Sequence, residues 1–414
     1  MLPVDRAQTI ILDLVQPLDR ELDVEVVDLL AARDRILATP VTSHLDFPHW
    51  DNSAMDGYAV RHADVQNCSA EQPATLEIIE EIPAGRPPLH SIRSGQAARI
   101  LTGAMMPKGA DTVIMQEVTR REDSKVFILS APQPQAFVRH QGSFYQAGEP
   151  LLSAGIKIGA TEIAVLAAAQ CTQLSVYRRL RVAILSTGDE LVTPDRPLQP
   201  GQLVDSNQYA LAALVTQSGA IPQMLGIVPD DPEKLKDAIS QAMQSADVVI
   251  SSGGVSVGDY DYVDRILESL DAQIHIRAVA VKPGKPLTFA TFHSPQSSHL
   301  GLYFGLPGNP VSSLVTFWRF VQPALLKLAG LSTNYKPIFV QAKTNHELKS
   351  DGKRESYFWG KLNLINGIYE FDVAGGSHSS GNLINLAQTN GLAVVPVGEK
   401  LIESGKTVQV LKVN

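Results

Sequence analysis

At 414 residues the chain is longer than one hydrophobic core supports, so two to four domains are expected. A hydrophobic share of 44% and a net charge of −8, with no Lys/Arg run, speak against nucleic acid or an anionic membrane as principal partner. Two distant cysteines, Cys68 and Cys171, exclude a disulfide framework and a structural zinc site. No run approaches the ~20 apolar residues of a membrane span, and the acid-bearing, proline-interrupted N-terminus is no signal peptide. A cytoplasmic protein is expected.

In chain order, Val4 to Val15 and Glu21 to Leu30 carry apolar residues at helical spacing on either side of Pro17. An extended segment, Ala31 to Val41, follows. Between about 47 and 140, short β-like runs (Ala74 to Ile82, Gln96 to Thr102, Thr112 to Val118, Lys125 to Leu129) alternate with Pro/Gly turns, which predicts a β-rich domain. Gly148 to Ala169 reads as a turn and an apolar helix, and Leu174 to Tyr177 as a strand.

From about 180, strands (Arg181 to Ser186, Gln223 to Val228, Asp247 to Ser252, Leu302 to Gly305) alternate with helices (Asn207 to Ser218, Pro232 to Ser245, Tyr262 to Leu270, Val311 to Leu328). Continuous apolar strands between amphipathic helices predict a mostly parallel sheet covered on both faces, with residues 277–292 as an inserted antiparallel hairpin. After Gly330, short strands separated by turns such as Asn366-Gly367 predict a small β-barrel. The expected fold class is multidomain α/β and β. It comprises a discontinuous helical and extended domain (1–46 plus 141–178), a β-rich domain (47–140), a three-layer α/β domain (179–329) and a C-terminal barrel domain (330–414).

Ligands of open parallel sheets bind beyond the C-terminal strand ends, and each such end here carries small or polar residues. The first ends in Ser186-Thr187-Gly188-Asp189-Glu190, the second in Asp230-Asp231, the third in Ser252-Gly253-Gly254-Val255-Ser256-Val257-Gly258-Asp259-Tyr260-Asp261. The last ends in Pro307-Gly308-Asn309-Pro310, where two prolines pre-form a turn and the glycine permits close backbone approach. Hydroxyls and backbone N–H groups suit phosphate oxygens, and Lys282 and Lys285 add positive charge. Glu190, Asp230 and Asp261 would repel a phosphate unless a hard cation such as Mg²⁺ lay between. A phosphorylated or nucleotide-like ligand bound with a metal is implied. Structural readings stand beside these: the Pro307 to Pro310 loop as an ordinary βα turn, Asp230 as the N-cap of the helix at Pro232, Asp259 or Asp261 as a cap, and both lysines as solvent-facing. In the first half, Asp51 to Val60 and Arg99 to Ala104 read by themselves as structural β-turns.

Together these segments resemble the molybdopterin molybdenumtransferases (the MoeA/gephyrin family of molybdenum-cofactor synthesis). The matching pieces are Asp51 to Val60, Arg99 to Ala104, Ala110 to Glu117, Ser186 to Leu191, Asp205 to Asn207, Gly226 to Pro232, Asp247 to Tyr262, Ala280 to Pro286 and Gly305 to Ser312, all in family order. The resemblance implies insertion of molybdate into adenylylated molybdopterin with Mg²⁺ and release of AMP. It also implies a homodimer whose site is shared between the α/β domain of one subunit and the β-rich domain of the other. Carried across by position, Asp56, Thr102, Glu190, Asp230, Asp261, Lys282 and Lys285 are the expected catalytic residues, with Asp231 a rival to Asp230. Glu190, Asp230 and Asp261 are the expected magnesium ligands. Ser186, Thr187, Gly188, Asp189, Ser252, Gly253, Gly254, Ser256, Gly258, Pro307, Gly308, Asn309 and Pro310 are the expected binding residues.

One position departs from the pattern. After Arg139 the family has Gly-Glu-Asp, and this chain has Gly142-Ser143-Phe144. Phe144 cannot replace a carboxylate; either a neighbour such as Glu149 substitutes, or metal and substrate handling is altered. The alternatives are molybdopterin adenylyltransferase activity and a diverged, non-catalytic scaffold. A separate adenylyltransferase is a candidate partner.

Overall fold

The computed structural model describes residues 1–253, 260–293 and 299–413, with side chains of the helix Tyr260–Ser269 described from Val263 onward. The chain divides into two compact units. One holds residues 1–39, 154–163 and 172–414, and the other holds 40–153 and 164–171.

In the larger unit a six-stranded sheet runs in the order Ile221–Val228, Arg181–Thr187, Val248–Ser252, Leu300–Leu306, Pro286–His293, Gln273–Ala278. The first four strands are parallel and the last two antiparallel, so the expected mostly parallel sheet is present. Its strands are apolar because both faces are covered. Val182, Ile184, Val248 and Ile250 face one core, with the helices Val4–Leu14 and Asn207–Gln217. Ala183, Leu185 and Val249 face the other, with the helix Pro232–Ser245. A one-residue step along a strand reverses the side, which gives three layers.

The C-terminal strands Glu355–Ile365, Ile368–Val373, Phe339–Thr344, Thr407–Lys412 and Gly391–Val395 close into a five-stranded barrel, the last pairing back with the first. The predicted hairpin is present as Gln273–Ala278 against Pro286–His293. Its tip, Val281–Lys282, pairs in parallel with Glu355 and Ser356 of the barrel.

One predicted helix is a strand. Residues 21–30 contain the strand Val24–Asp28 and a short 3₁₀ turn, Leu29–Ala32. The Asp19 carboxylate accepts from Glu21 N (2.8 Å) and Leu22 N (2.9 Å), turning the chain before a helix can nucleate. The β-branched Val24, Val26 and Val27 then pair with Gln173–Tyr177.

The smaller unit is built on a six-stranded sheet ordered Thr112–Met115, Gly57–Val60, Gln96–Ile100, Ala74–Ile82, Lys125–Ile128, Thr119–Glu122. Tyr58 and Val60 face one small core and Ala59 another. Gly57 is required here because a Cβ would lie 1.8 Å from Ile114 O on the paired strand.

Candidate functional site

A cleft of about 940 Å³ opens beyond the C-terminal strand ends of the larger unit. It is walled by Ser186, Thr187, Gly188, Glu190, Asp230, Ser252, Gly253, Pro307, Gly308, Asn309 and Pro310. Eleven residues expected at the site thus share one wall, assembled from four strand ends. Gly254, Ser256 and Gly258 lie outside the described residues, as does the side chain of Asp261.

Close backbone approach shapes the cleft. Gly253 has φ +93°, and a Cβ there would fall 2.4 Å from Thr187 O. Gly308 packs against it, its own Cβ position 3.4 Å from Gly253 Cα. Three side-chain atoms on this wall, Ser186 Oγ, Thr187 Oγ1 and Asn207 Oδ1, are buried with no hydrogen-bond partner among the described residues. Buried polar atoms are ordinarily paired, so this wall is complementary to a polar ligand.

The acids divide by role. Asp231, not Asp230, caps the helix Pro232–Ser245: its Oδ1 accepts from Glu233 N (3.0 Å) and Lys234 N (3.1 Å). Asp230 lines the cleft instead, its backbone N–H held by Asp189 Oδ1 at 3.2 Å. The capping expectation for Asp230 is therefore displaced by one residue. Proline at the first helical position makes its predecessor the cap. Asp189 supports the loop without lining the cleft.

Lys282 and Lys285 are exposed and stand outside the lining, which their loop reaches through Pro286. Lys282 Nζ lies 3.4 Å from Asp351 of the barrel domain, which also faces Arg354 at 3.6 Å. Among the described residues no cluster of three His, Cys, Asp or Glu is spaced to hold a metal. Glu190 and Asp230 are nevertheless hard oxygen donors on the wall of a cleft roomy enough for a nucleotide-sized ligand. Two carboxylates completed by substrate phosphates are a fitting set for Mg²⁺.

Two contributions escape sequence reasoning. Asn207, marked by sequence only as part of a motif, donates from Nδ2 to Ser252 Oγ (2.8 Å) and to Gly308 O (2.8 Å), tying two strand ends together. Gly381 and Leu383, about 70 residues beyond the last strand end, close one side of the cleft. Their segment accepts the Val311 N–H at Ser380 O (3.1 Å). No local pattern in that segment signals its place in the wall.

In the smaller unit, Thr102 donates to Asp56 Oδ1 from both N and Oγ1, each at 2.7 Å. The backbone N–H foremost, then the hydroxyl, holds the Asp56 carboxyl below its ordinary range, so it is ionised at neutral pH. Phe144 is 72% exposed and donates its N–H to Phe47 O at 2.8 Å. Its turn is not short of carboxylates. Asp46 accepts from Ala147 N (2.8 Å) and Gln141 Nε2 (2.8 Å), and Asp51 from Gln141 N (2.7 Å).

Three family models match in order: the "MoeA N-terminal region (domain I and II)" over residues 2–169, the "probable molybdopterin binding domain" over 183–327, and the "MoeA C-terminal region (domain IV)" over 341–413. The cleft's strand ends fall in the second. A molybdopterin molybdenumtransferase of a Nostoc species is 64% identical over 97% of this chain and 92% of its own length. Its Haemophilus influenzae counterpart is 36% identical over 91% of the chain and 88% of its own. The structure of the molybdopterin biosynthesis moeA protein from Pyrococcus horikoshii OT3 is similar over the whole of both chains, with TM-score 0.84 and 28% identity. Full-length similarity at this level, with every segment in order, makes this chain a member of the molybdopterin molybdenumtransferase family, a family of transferases.

Proposed function

We propose that this chain inserts molybdenum into molybdopterin, taking adenylylated molybdopterin and molybdate as substrates and releasing AMP in a magnesium-dependent reaction. The observation that carries the reading is the cleft at the strand ends. The carboxylates of Glu190 and Asp230 and three unpaired buried polar atoms line it, within the segment matched by the molybdopterin-binding model. The hydroxyls of Ser186 and Thr187 and the backbone around Gly188, Gly253 and Gly308 orient the substrate. Glu190 and Asp230, with Asp261, would hold the magnesium ion, which when bound supplies charge neutralisation at the phosphoanhydride. Lys282 and Lys285 attract the oxyanions of molybdate and phosphate. Ionised Asp56, fixed by Thr102, orients water or accepts a proton from it as the phosphoanhydride is cleaved.

We infer further that the protein is a cytoplasmic homodimer of four-domain subunits (1–46 with 141–178, 47–140, 179–329, 330–414). Asp56 and Thr102 of one subunit would complete the cleft of the other. A separate adenylyltransferase would supply the substrate. The deciding assay follows molybdate-dependent AMP release from adenylylated molybdopterin, with and without Mg²⁺, in wild type, Asp56→Asn and Lys285→Ala. Loss of turnover in folded variants is expected; unchanged turnover would remove those two assignments. Turnover of molybdopterin plus ATP instead would favour the adenylyl-transfer alternative.

The exposed Phe144 favours a second reading, a diverged member with altered activity. A large gain in Phe144→Asp would support it. Equal rates would mean that the carboxylates of Asp46, Asp51 or Glu149 serve in place of the family acid.

A further inference from the structure

Asn207 is the first residue of the helix Asn207–Gln217 and is only 7% exposed. Its amide has four hydrogen-bonding positions, two donors on nitrogen and two lone pairs on oxygen. Both donors are used, on Ser252 Oγ and Gly308 O. Gly308 O is a carbonyl and can only accept, so the nitrogen must face it and the amide orientation is determined by chemistry. The hydroxyl of Ser252 agrees, since it accepts from Asn207 and lies 3.4 Å from Pro307 O, to which it donates. The helix start is itself held in place. Asp205 accepts from Gln208 N (3.1 Å), and Gln208 exchanges hydrogen bonds with Gly226.

What remains is Oδ1, buried on the wall of the cleft, with no donor among the described residues. Ser186 and Thr187 on the same wall carry hydroxyls that can donate or accept. Asn207 Oδ1 can only accept. Ionised phosphate and molybdate oxygens, which also only accept, are repelled from it. The part of the ligand that meets Asn207 must therefore present a hydrogen-bond donor, N–H or O–H. In a pterin-bearing substrate that part is the amino-pyrimidinone edge, where an amino group and a ring N–H form a continuous run of donors.

We propose that Asn207 Oδ1 is the specificity-determining acceptor of the cleft and reads this donor edge, placing the pterin ring at the helix start and the charged groups elsewhere on the wall. The assignment rests on the reading that the ligand carries a pterin. It makes the cleft selective against a ring of the same shape with a carbonyl in place of the amino group, because oxygen would then face oxygen.

The test is an equilibrium titration of the full-length protein, followed by probe fluorescence, with pterin (2-amino-4-oxopteridine) and lumazine (2,4-dioxopteridine). Wild type is expected to bind pterin about tenfold or more tightly than lumazine, the discrimination typical of leaving a buried polar group unpaired. Asn207→Ala also cuts the tether between Ser252 and Gly308 and weakens both probes. That common loss cancels in the ratio, which is expected to fall to about twofold or less. A ratio unchanged in Asn207→Ala, or absent in wild type, overturns the assignment. Should the variant fail to fold, the wild-type ratio alone decides. Wild type that binds neither pteridine overturns the pterin reading itself, an outcome distinct from binding without discrimination.

Discussion

At the scale of single residues, the cleft is shaped as much by missing side chains as by those present. Gly253 holds a left-handed conformation with Thr187 O where its Cβ would be, so Gly253→Ala meets backbone strain and a collision together. A loss of at least about 1–2 kcal/mol in unfolding free energy is expected from the backbone conformation alone, read by urea denaturation, with ligand binding lost in what remains folded. Asp56 is a different case, since its surroundings tune it without burying it. Replacing Thr102 with Ala removes the hydroxyl's hydrogen bond to its carboxylate and keeps the one from the backbone N–H. The Asp56 titration, followed by carboxyl NMR, should then move part of the way up toward the ordinary range; an unmoved midpoint would mean that the Thr102 hydroxyl contributes nothing and the backbone N–H alone holds it down.

At the scale of elements, adjacent acids at one helix start separate cleanly. Asp231→Ala should cost about 1 kcal/mol of stability as a lost cap, with the cleft chemically intact. Asp230→Asn, isosteric and one residue away, should abolish the proposed magnesium-dependent turnover with a much smaller change in the unfolding midpoint. A second element-level device lies at the opposite, N-terminal strand ends. Burial pushes the Asp247 carboxyl up, but hydrogen bonds from Arg178, His299 and Arg181 N overcome this and leave it well below the ordinary range. For His299, burial pushes the ring down and its Asp247 contact reverses the sign, leaving it raised. The two signs give opposite slopes. The Asp247 contribution is present above its unfolded value and is lost as pH falls through the lowered one. The His299 contribution is present below its unfolded value and is lost as pH rises through the raised one. Stability should therefore fall on both the acid and the alkaline side. His299→Gln should flatten the alkaline arm, as read from unfolding midpoints between pH 5 and 9. Arg178→Ala, which leaves the buried Asp247 carboxylate with only His299 and the Arg181 N–H, should cost up to about 3–5 kcal/mol.

At the scale of the whole molecule, two compact units in one chain are expected to unfold with more than one transition. Trp50, at 45% exposure, is the tryptophan of the smaller unit, while Trp318 and Trp359 are buried in the larger. Trp50→Phe should remove one phase of the fluorescence-detected unfolding curve and leave the circular-dichroism curve unchanged. The proposed shared site makes a second whole-molecule test possible. Mixing Asp56→Asn subunits with Glu190→Gln subunits should restore turnover that neither shows alone, because each mixed dimer rebuilds one complete site. Activity no greater than that of the separate variants would mean that each subunit carries its own site.

Much of this was legible from sequence for a physical reason. Buried parallel strands demand unbroken apolar runs, so Arg181 to Ser186 and Asp247 to Ser252 declare themselves. The glycines and hydroxyls at their C-terminal ends also mark one wall of the cleft. The barrel's alternating short strands and the caps and turns between them are equally local properties. Other features depend on distance in the chain collapsing in space. The stretch 21–30 carries a helical period, yet an aspartate turn and a strand partner 150 residues away make it β. Asp231 caps the helix because Pro232 takes its first position, which leaves Asp230 to line the cleft. Gly381 and Leu383 reach the cleft only because the hairpin tip and Ser380 fasten the C-terminal domain to the α/β domain. The polarity of Asn207 is a tertiary fact in the same sense. Sequence supplies an amide, and only the carbonyl of Gly308, 101 residues away, determines which end of it faces the ligand.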